Sequence, residues 1–292
     1  KIFKAFKRID FEQLTGNYLL GGTPQPLGRI LNYFYKKNKK KIIRFTHGGD
    51  RVFFDDILWI YNEIMFCDEY YVHGSEEKKV LQKKIKQNPH RKDLFQTKVI
   101  TRGSEKHKQL FEYFRMKKQR KNKKILFVPG CFLGEVFMHN PYFKPSDTVI
   151  ADYIFWTVKI INDLGYEITI KVHPGGIQFQ RFFKSLPCEI IYNSFNLSSY
   201  DHSIIIFDFA GTAFFDSLAS NKGIVYLNNH IRPSVDPNYN SLLQRCQVVH
   251  AFYDNNNIRF SSKDLKKSLE NAYDQQFCDD KFAKKYFFGH NS

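Results

Sequence analysis

The sequence predicts an α/β protein built from two Rossmann-like domains, each with a parallel sheet. Short runs of apolar and β-branched residues alternate with segments of helical periodicity along most of the chain. One polar and strongly basic stretch, residues 104–124, interrupts this alternation, which then restarts. A chain of 292 residues can form two domains of ordinary size. We therefore expect two parallel sheets that face a common cleft.

The predicted N-terminal domain spans residues 1–122. Its helical segments carry apolar residues at helical spacing, and its strand-like runs are short and rich in Ile, Val and Tyr. The predicted strands are 16–22, 41–45, 69–74 and 97–103, and the predicted helices are 26–40, 52–67 and 75–87. Residues 104–122 close the domain as a helix and a basic connector. Because the chain begins at Lys1 and enters structure almost at once, we expect this domain to be incomplete.

The predicted second domain spans residues 123–261. It contains an apolar run that ends in an aspartate, residues 202–208, which is typical of a buried parallel strand. The predicted strands are 124–130, 166–176, 188–193, 202–208 and 223–228, and the predicted helices are 152–165, 177–186 and 212–222. Residues 262–292 are polar with helical periodicity, so we predict a C-terminal helical tail there.

The chain is basic, with a formal net charge of +16. A basic surface suits an acidic partner such as a phosphorylated substrate, an anionic membrane or a nucleic acid. Two dense runs of basic residues, 36–41 and 117–124, supply much of this charge, and each precedes a predicted strand. The simplest interpretation of both runs is a solvated helix end.

Cysteine usage and hydropathy limit the cellular context. The five cysteines are scattered and form no CxxC pattern, which argues against a disulfide framework and against a zinc site. No signal peptide is recognisable, and no apolar run approaches the length of a membrane span. These features favour a cytoplasmic protein, either free or peripheral at the inner face of the cytoplasmic membrane.

The strongest local signal is IIIFDFAGTAFFDSLASNKGIVYLN, residues 204–228. A buried strand ends at Asp208, a turn of small residues ending in Gly211 follows, and Thr212 can cap the next helix. The amides of a helix start suit a phosphate. Asp216 lies one helical turn after Thr212 on the same face, where its carboxylate can hold a ribose diol. The alternative is a plain helix cap followed by a solvated aspartate.

An ordered set of motifs resembles the GT-B glycosyltransferases, in particular the bacterial surface-polysaccharide branch. The Asp, Gly-Thr and Asp pattern of 208–216 resembles their donor domain, and Lys171–Pro174 stands where that branch has K-x-H-P. His47–Gly49 match an N-domain HGG, and Gly103 with Ser104 opens the connector. The branch includes keto-sugar-acid (Kdo) transferases and polyglycerol- and polyribitol-phosphate polymerases. The ordered set covers about residues 16–230.

Three positions depart from the family pattern. Gly211 stands where a Ser or a second Thr is common, and Asp216 stands where Glu is common. The connector reads GSEK where GSPR is usual. These differences affect the implied ribose contact more than the implied phosphate contact.

The resemblance implies a metal-independent glycosyltransferase that uses a nucleotide-activated donor and needs no cofactor. A CMP-linked keto-sugar acid is the first choice of donor, and a CDP-glycerol- or CDP-ribitol-type donor is the next. Neutral His173 would donate a hydrogen bond to the donor phosphate or carboxylate, and Lys171 would supply a point charge. The chain has no DxD motif for a metal, since Asp55 and Asp56 are adjacent. The implied donor-binding residues are Gly130, Lys171, His173, Pro174, Asp208, Gly211, Thr212 and Asp216.

The acceptor side needs a general base or a nucleophile, and THGGDR, residues 46–51, is the expected place. Its two glycines let the backbone approach a ligand closely. Asp50 is the first candidate and His47 lies beside it, while Arg51 is expected to pair with Asp50 or to steer an anionic acceptor. The alternatives are that Asp50 caps the following helix, or that Glu135 is the base.

Two other functions fit parts of the sequence. A nucleotide-sugar 2-epimerase of the same fold needs an acid–base set within the donor domain, and no clear Glu/His set is visible there. A basic nucleic-acid-binding protein fits the charge, but the aromatic residues lie mostly within apolar runs and are not interleaved with Lys and Arg. The expected partners are therefore a nucleotide-sugar donor, a glycan or lipid-linked glycan acceptor, and an anionic membrane surface.

Overall fold

The structure is a computed structural model in which the chain divides into two compact units. The first unit comprises Lys1–Gln109 with Asp279–Ser292, and the second comprises Leu110–Cys278. The sequence analysis placed the division at 122/123 instead. The structure describes residues 18–21, 26–55, 57–64, 67–87, 96–117, 121–130, 132, 146–229, 234–236, 240–254, 257–274 and 279–289.

The first unit contains a four-stranded parallel sheet in the order β1-β2-β3-β4. Each strand is only four residues long, and the strands alternate with helices as the sequence predicts. The strands are β1 (Tyr18–Gly21), β2 (Ile42–Phe45), β3 (Glu69–Val72) and β4 (Lys98–Thr101). The helices are α1 (Pro26–Lys37), α2 (Ile57–Ile64), α3 (Ser75–Lys86) and α4 (Glu105–Met116), and the division between the units falls within α4.

The second unit contains a seven-stranded sheet in the order β11-β10-β9-β8-β5-β6-β7. All neighbouring strands are parallel except the edge pair β10–β11. The strands are β5 (Lys124–Val128), β6 (Glu167–Lys171), β7 (Glu189–Ile191), β8 (Ile204–Phe207), β9 (Gly223–Asn228), β10 (Gln247–Asp254) and β11 (Asn257–Phe260). The helices are α5 (Asp147–Asp163), α6 (Gln180–Lys184), α7 (Thr212–Leu218), α8 (Asn240–Leu243) and α9 (Ser262–Tyr273).

The strand order of the second sheet defines where a ligand can bind. From β5 the chain adds β6 and β7 on one side, and it then returns to add β8, β9 and β10 on the other side. The direction of winding therefore reverses between β5 and β8. In open parallel sheets, a crevice forms outside the carboxyl ends of the strands at such a reversal.

The middle of the second sheet is apolar because helices cover both of its faces. Every residue of β8 and β9 is buried, and a parallel strand covered on both faces needs a continuous apolar run. One face packs against α5 through Tyr153, Ile154 and Val158, which belong to the main hydrophobic cluster. The opposite face is covered by α7, where Phe214 and Phe215 are buried. The sheet is thus a rigid support for its strand ends.

The C-terminal residues do not form one tail. Helix α9 packs on β8, β9 and β10 of the second unit, whereas α10 (Asp280–Tyr286) packs on α3 of the first unit. The contact with α3 is close at Gly74. A Cβ atom at this position would lie 2.3 Å from the carbonyl oxygen of Lys285 and 2.5 Å from the carbonyl carbon of Tyr286.

Several element boundaries differ from the prediction. The predicted helix 52–67 is divided into a 3₁₀ turn, Arg51–Phe53, and α2. The predicted strand 166–176 ends at Lys171, because Pro174 begins a 3₁₀ turn that extends to Phe179. The sequence analysis assigned no element to 229–261, which contains α8, β10 and β11. In the described part of the chain, no helix is both long and apolar enough to span a membrane.

Substituting Gly74→Ala should destabilise the first unit by about 1–3 kcal/mol, because the new methyl group overlaps the backbone of α10. The measurement is urea unfolding of the whole chain. The neighbouring Ser75→Ala substitution is the control, and it should change the unfolding free energy by less than about 0.5 kcal/mol. Equal stabilities for Gly74→Ala and the parent protein would contradict the packing of α10 on α3.

Candidate functional site

The crevice of the second sheet is closed at its base by one hydrogen bond. The backbone N–H of Gly130, just after β5, donates to Oδ1 of Asp208, just after β8, at 2.6 Å. Asp208 is 5% exposed. A hydrogen bond to a carboxylate is stronger than one between neutral groups. Asp208 and Gly130, which the sequence analysis selected separately, are therefore joined across the reversal of the sheet.

Three buried polar residues of the second unit were missed by the sequence analysis. Asn228 ends β9 and Asn229 follows it, with 8% and 5% of their surface exposed, and Tyr153 of α5 has no exposed surface. Burial raises the pKa of Tyr153 well above its ordinary value, and the Asp208 carboxylate raises it further. The sequence signal for this cluster is the pair of asparagines that directly follows the apolar run GIVYL.

Lys171 lies deeper than the sequence analysis expected. It ends β6 and is 2% exposed, and its ammonium group donates to the carbonyl oxygen of Val172 at 2.5 Å. Burial lowers the pKa of Lys171. The Lys171 side chain is therefore held against its own strand end.

His173 is exposed, and its tautomer is set by the local backbone. Its Nδ1 accepts a hydrogen bond from the backbone N–H of Gly175 at 3.0 Å and so caps the 3₁₀ turn that begins at Pro174. An accepting Nδ1 carries no proton, so the neutral ring carries its proton on Nε2. The strand end KVHPGG therefore presents a hydrogen-bond donor in a fixed orientation.

The start of α7 differs from the expected cap. Gly211 occupies the N-cap position, and Thr212 is the first helical residue. A Cβ atom on Gly211 would lie 2.8 Å from the ring of Phe209, which gives a steric reason for glycine at this position. Asp216 is 4% exposed, so it is not a solvated aspartate. It lies one turn after Thr212 on the same helix face.

In the first unit, the HGG turn separates His47 from Asp50. Gly48 and Gly49 have φ values of 77° and 82°, which glycine adopts without strain. Asp50 is 2% exposed and lies 3.7 Å from Nε of Arg51, as expected for an ion pair, and its side chain does not cap the following turn. His47 is exposed, and partial desolvation and the Arg51 charge lower its pKa, so it is neutral at pH 7.

A buried glutamate connects the strand ends of the first sheet. Oε1 of Glu77 accepts from Oγ1 of Thr46, after β2, at 2.5 Å, and Oε2 accepts from the backbone N–H of His73, after β3, at 2.7 Å. Burial raises the pKa of Glu77 to about 8, and the charges of Asp50 and Glu63 raise it in the same direction. Glu77 thus keeps its proton at neutral pH while it holds two strand ends to α3.

The second unit has a further cavity at the opposite, amino ends of its strands. It measures about 410 Å³ and lies between the end of α4 and residues 198–203. The buried ammonium group of Lys222 donates to the carbonyl oxygens of Tyr200 and His202, both at 2.7 Å. Burial lowers the pKa of Lys222 to about 8. The contacts of Lys222 hold this loop in place.

Glu135, the alternative base, lies outside the described residues. Among the residues that the structure describes, no three His, Cys, Asp or Glu side chains are grouped as a metal site would require. The predicted absence of a metal stays a prediction.

No protein-family model and no curated protein sequence matches this chain. Solved structures do match. S. aureus MnaA in complex with UDP has a TM-score of 0.55 at 11% identity, over 99% of this chain and 73% of that one. UDP-N-acetylglucosamine 2-epimerase from Rickettsia bellii has a TM-score of 0.56 at 12% identity, over 94% of this chain and 69% of that one. This chain has a GT-B-like fold. The two predicted Rossmann-like domains are confirmed.

A third solved structure, Phytolacca americana UGT2 with UDP-2-fluoro-glucose and pterostilbene, has a TM-score of 0.49 at 9% identity, over 98% of this chain and 71% of that one. At these identities the likeness shows the fold alone.

Glu77 should make the stability of the protein fall as pH rises. The folded protein keeps a proton up to about pH 8, whereas an unfolded glutamate releases it near its ordinary pKa of 4.5. The stabilisation is therefore complete below about pH 4.5 and is lost as pH rises through about 8, at roughly 1 kcal/mol per pH unit. Urea unfolding across this range should show the slope in the parent protein.

The Glu77→Gln variant keeps the shape of the side chain without the titrating proton. Its unfolding free energy should therefore fall with pH less steeply than that of the parent protein, by roughly 1 kcal/mol per pH unit. Glu76→Gln, one residue earlier on the same helix, is the control and should keep the parent slope. Identical slopes for Glu77→Gln and the parent protein would show that Glu77 is ionised in the fold.

Proposed function

We propose that the protein is a nucleotide-sugar-dependent glycosyltransferase that transfers a sugar to a glycan or lipid-linked acceptor. One observation carries the proposal: the Asp208-anchored crevice and the oriented Nε2–H of His173 lie at carboxyl ends of the same parallel sheet. Such strand ends are where α/β sheets bind nucleotides. The GT-B-like fold supports a nucleotide-sugar ligand at this place.

The chemistry requires stabilisation of a leaving phosphate. When the bond between the anomeric carbon and the donor oxygen breaks, negative charge develops on the phosphate. His173 can donate its Nε2–H to a phosphate oxygen, and the backbone amides at the start of α7, beside Thr212, are further donors. Asp216 can accept from the ribose hydroxyls. His173 and the backbone amides of α7 would stabilise the leaving phosphate, and Asp216 would position the ribose, without a covalent bond to the sugar.

The acceptor hydroxyl must lose a proton as it attacks the sugar. His47 is exposed and neutral at pH 7, so it has a lone pair available to accept that proton. The Asp50 carboxylate already forms an ion pair with the Arg51 guanidinium, which suits it less well to take a proton from the acceptor. We therefore place His47 before Asp50 as the base, and Glu135 remains the alternative.

The preferred donor is a CMP-linked keto-sugar acid. Its sugar carboxylate would provide a second anionic group, which the positive charge of the nearby strand end at Lys171 would favour. A CDP-glycerol- or CDP-ribitol-type donor has phosphates but lacks this carboxylate, so it is the next choice. An anionic membrane surface beside the enzyme would suit the net charge of +16 and a lipid-linked acceptor.

A nucleotide-sugar 2-epimerase is the second candidate, and the polar cluster of the second unit favours it. Tyr153 and Asp208 are titratable neighbours in the donor unit, since the Asp208 carboxylate helps to raise the pKa of the buried Tyr153, and the sequence analysis did not identify this pair. The similar structures from S. aureus and Rickettsia bellii add weight through their fold. An epimerase would consume its nucleotide sugar without any acceptor, whereas a transferase needs one.

Nucleic-acid binding is less well supported, because acidic side chains pair with parts of both basic runs. In the run 117–124, Lys121 lies 2.8 Å from Asp274, and Lys124 lies 3.6 Å from Asp201. In the run 36–41, Lys36 lies 2.5 Å from Asp68. Such pairs reduce the charge that a phosphate backbone would meet.

A thermal-unfolding panel of CMP, CDP, UDP, GDP and their sugars tests the donor site. A nucleotide present at ~100 times its Kd should stabilise the protein by about 2.7 kcal/mol. His173→Ala should lose most of this stabilisation, because it removes the oriented donor. Gln178→Ala, an exposed residue of the same 3₁₀ turn, should retain it.

Three outcomes are informative. If one nucleotide stabilises the parent protein and His173→Ala abolishes this effect, the proposed site is supported and the nucleobase of the donor is identified. Equal stabilisation of His173→Ala and Gln178→Ala removes His173 from the site. No stabilisation by any nucleotide contradicts the proposed function.

A further inference from the structure

The first unit has a cavity of its own at the carboxyl ends of its strands. The cavity measures about 350 Å³, which falls within the range of small-molecule sites, roughly 300–1,000 Å³. Its walls are Phe45 at the end of β2, Tyr71 and His73 at the end of β3, and Arg102 after β4. The C-terminal segment 287–289 completes the lining. Thr46 of the THGGDR stretch also lines this cavity, whereas the predicted bases His47 and Asp50 do not.

One wall is a row of flat groups across three neighbouring strands. The rings of Phe45 and Tyr71 are stacked with centroids 5.2 Å apart and planes 20° apart. The guanidinium of Arg102 lies 5.6 Å from the centre of the Tyr71 ring. Phe45 is 38% exposed, so part of its ring remains open to solvent. The row is held by stacking and cation–π contacts before any ligand arrives.

The charged groups of the cavity leave an excess of positive charge. Arg102 and Lys108 both line it, and no carboxylate of the described residues forms an ion pair with either. The one acid in the lining, Glu105, accepts a hydrogen bond from Gln109 at 3.2 Å. Two cations therefore stand beside an aromatic wall in one cavity.

The C-terminal segment is built closely into this cavity. The backbone N–H of Ser104 donates to the carbonyl oxygen of Phe287 at 2.8 Å. A Cβ atom on Gly103 would lie 2.7 Å from the backbone nitrogen of Gly289, and Gly103 also has a φ of 85°. The glycines thus let segment 287–289 approach the end of β4 and form a fixed wall.

We propose that this cavity binds an anionic sugar, with the sugar ring packed on the exposed part of Phe45 and the anion held by Arg102 and Lys108. The planar guanidinium matches a phosphate or a carboxylate with two parallel hydrogen bonds, and Lys108 adds a point charge. The shared requirement is an anionic group on a ring-bearing ligand. The role of this ligand as the acceptor of transfer rests on the proposed function, whereas its binding does not.

The test is calorimetric titration of the whole chain, without nucleotide, with glucose 6-phosphate, glucuronate and glucose. We expect at least one anionic sugar to bind about tenfold or more tightly than glucose, and added salt to weaken that binding. The comparison of glucose 6-phosphate with glucuronate identifies the preferred anion. Equal affinities for the anionic sugars and for glucose, or no binding of any of them, would overturn the proposal.

Variants locate the site. Arg102→Gln and Lys108→Gln should each raise the Kd of the preferred anionic sugar about tenfold, and Phe45→Ala should raise the Kd of every sugar that binds. Arg181→Gln removes one positive charge from an exposed position in the second unit, and it should leave the Kd unchanged. A parent-like Kd for both Arg102→Gln and Lys108→Gln would overturn the assignment to this cavity.

The same protein can also be titrated with nucleotides, and the two titrations together distinguish failure of the cavity proposal from failure of the proposed function. Nucleotide binding without binding of an anionic sugar overturns the cavity proposal and leaves the donor site standing. Binding of an anionic sugar without any nucleotide binding supports the cavity and contradicts the proposed function.

Discussion

The second sheet reverses its winding between β5 and β8, and the hydrogen bond from Gly130 to Asp208 joins the two strand ends at that point. Everything proposed for the donor depends on this constraint. It keeps a buried carboxylate at the base of the crevice and fixes the turn after β5. Burial of β8 and β9 on both faces makes the support rigid. The exposed His173 can then present its donor from a neighbouring strand end of the same sheet.

The strand ends of the first unit are held together by a different kind of contact. Its strands are four residues long, so they offer little ladder hydrogen bonding, and a buried glutamate adds contacts at their ends. Glu77 binds the residues after β2 and β3 at once. The cavity with Arg102 and Lys108 lies at those same strand ends. In each unit, therefore, a buried carboxyl group holds the strand ends where a ligand is proposed to bind.

The sequence predicted the fold well because parallel α/β units repeat a strong pattern. The apolar run IIIFD and the following helix were recognisable alone, and they led to Asp208 and Gly211. Burial could not be read from the pattern: Lys171, Asp50 and Asp216 all resemble surface residues in the sequence, yet each is nearly inaccessible. The cavity of the first unit was missed because segment 287–289 joins it from a distant part of the chain. Such long-range packing leaves no periodic signal.

Crystals of the chain grown with CMP or UDP would test the central claim most directly. The account predicts density for the nucleotide at the carboxyl ends of β5 and β8, with a phosphate oxygen within hydrogen-bond distance of Nε2 of His173. Density in the cavity at the amino ends of the same sheet, beside Lys222, would contradict it. That cavity, at about 410 Å³, is large enough for a small molecule, so the crystals would show which end of the sheet the nucleotide prefers.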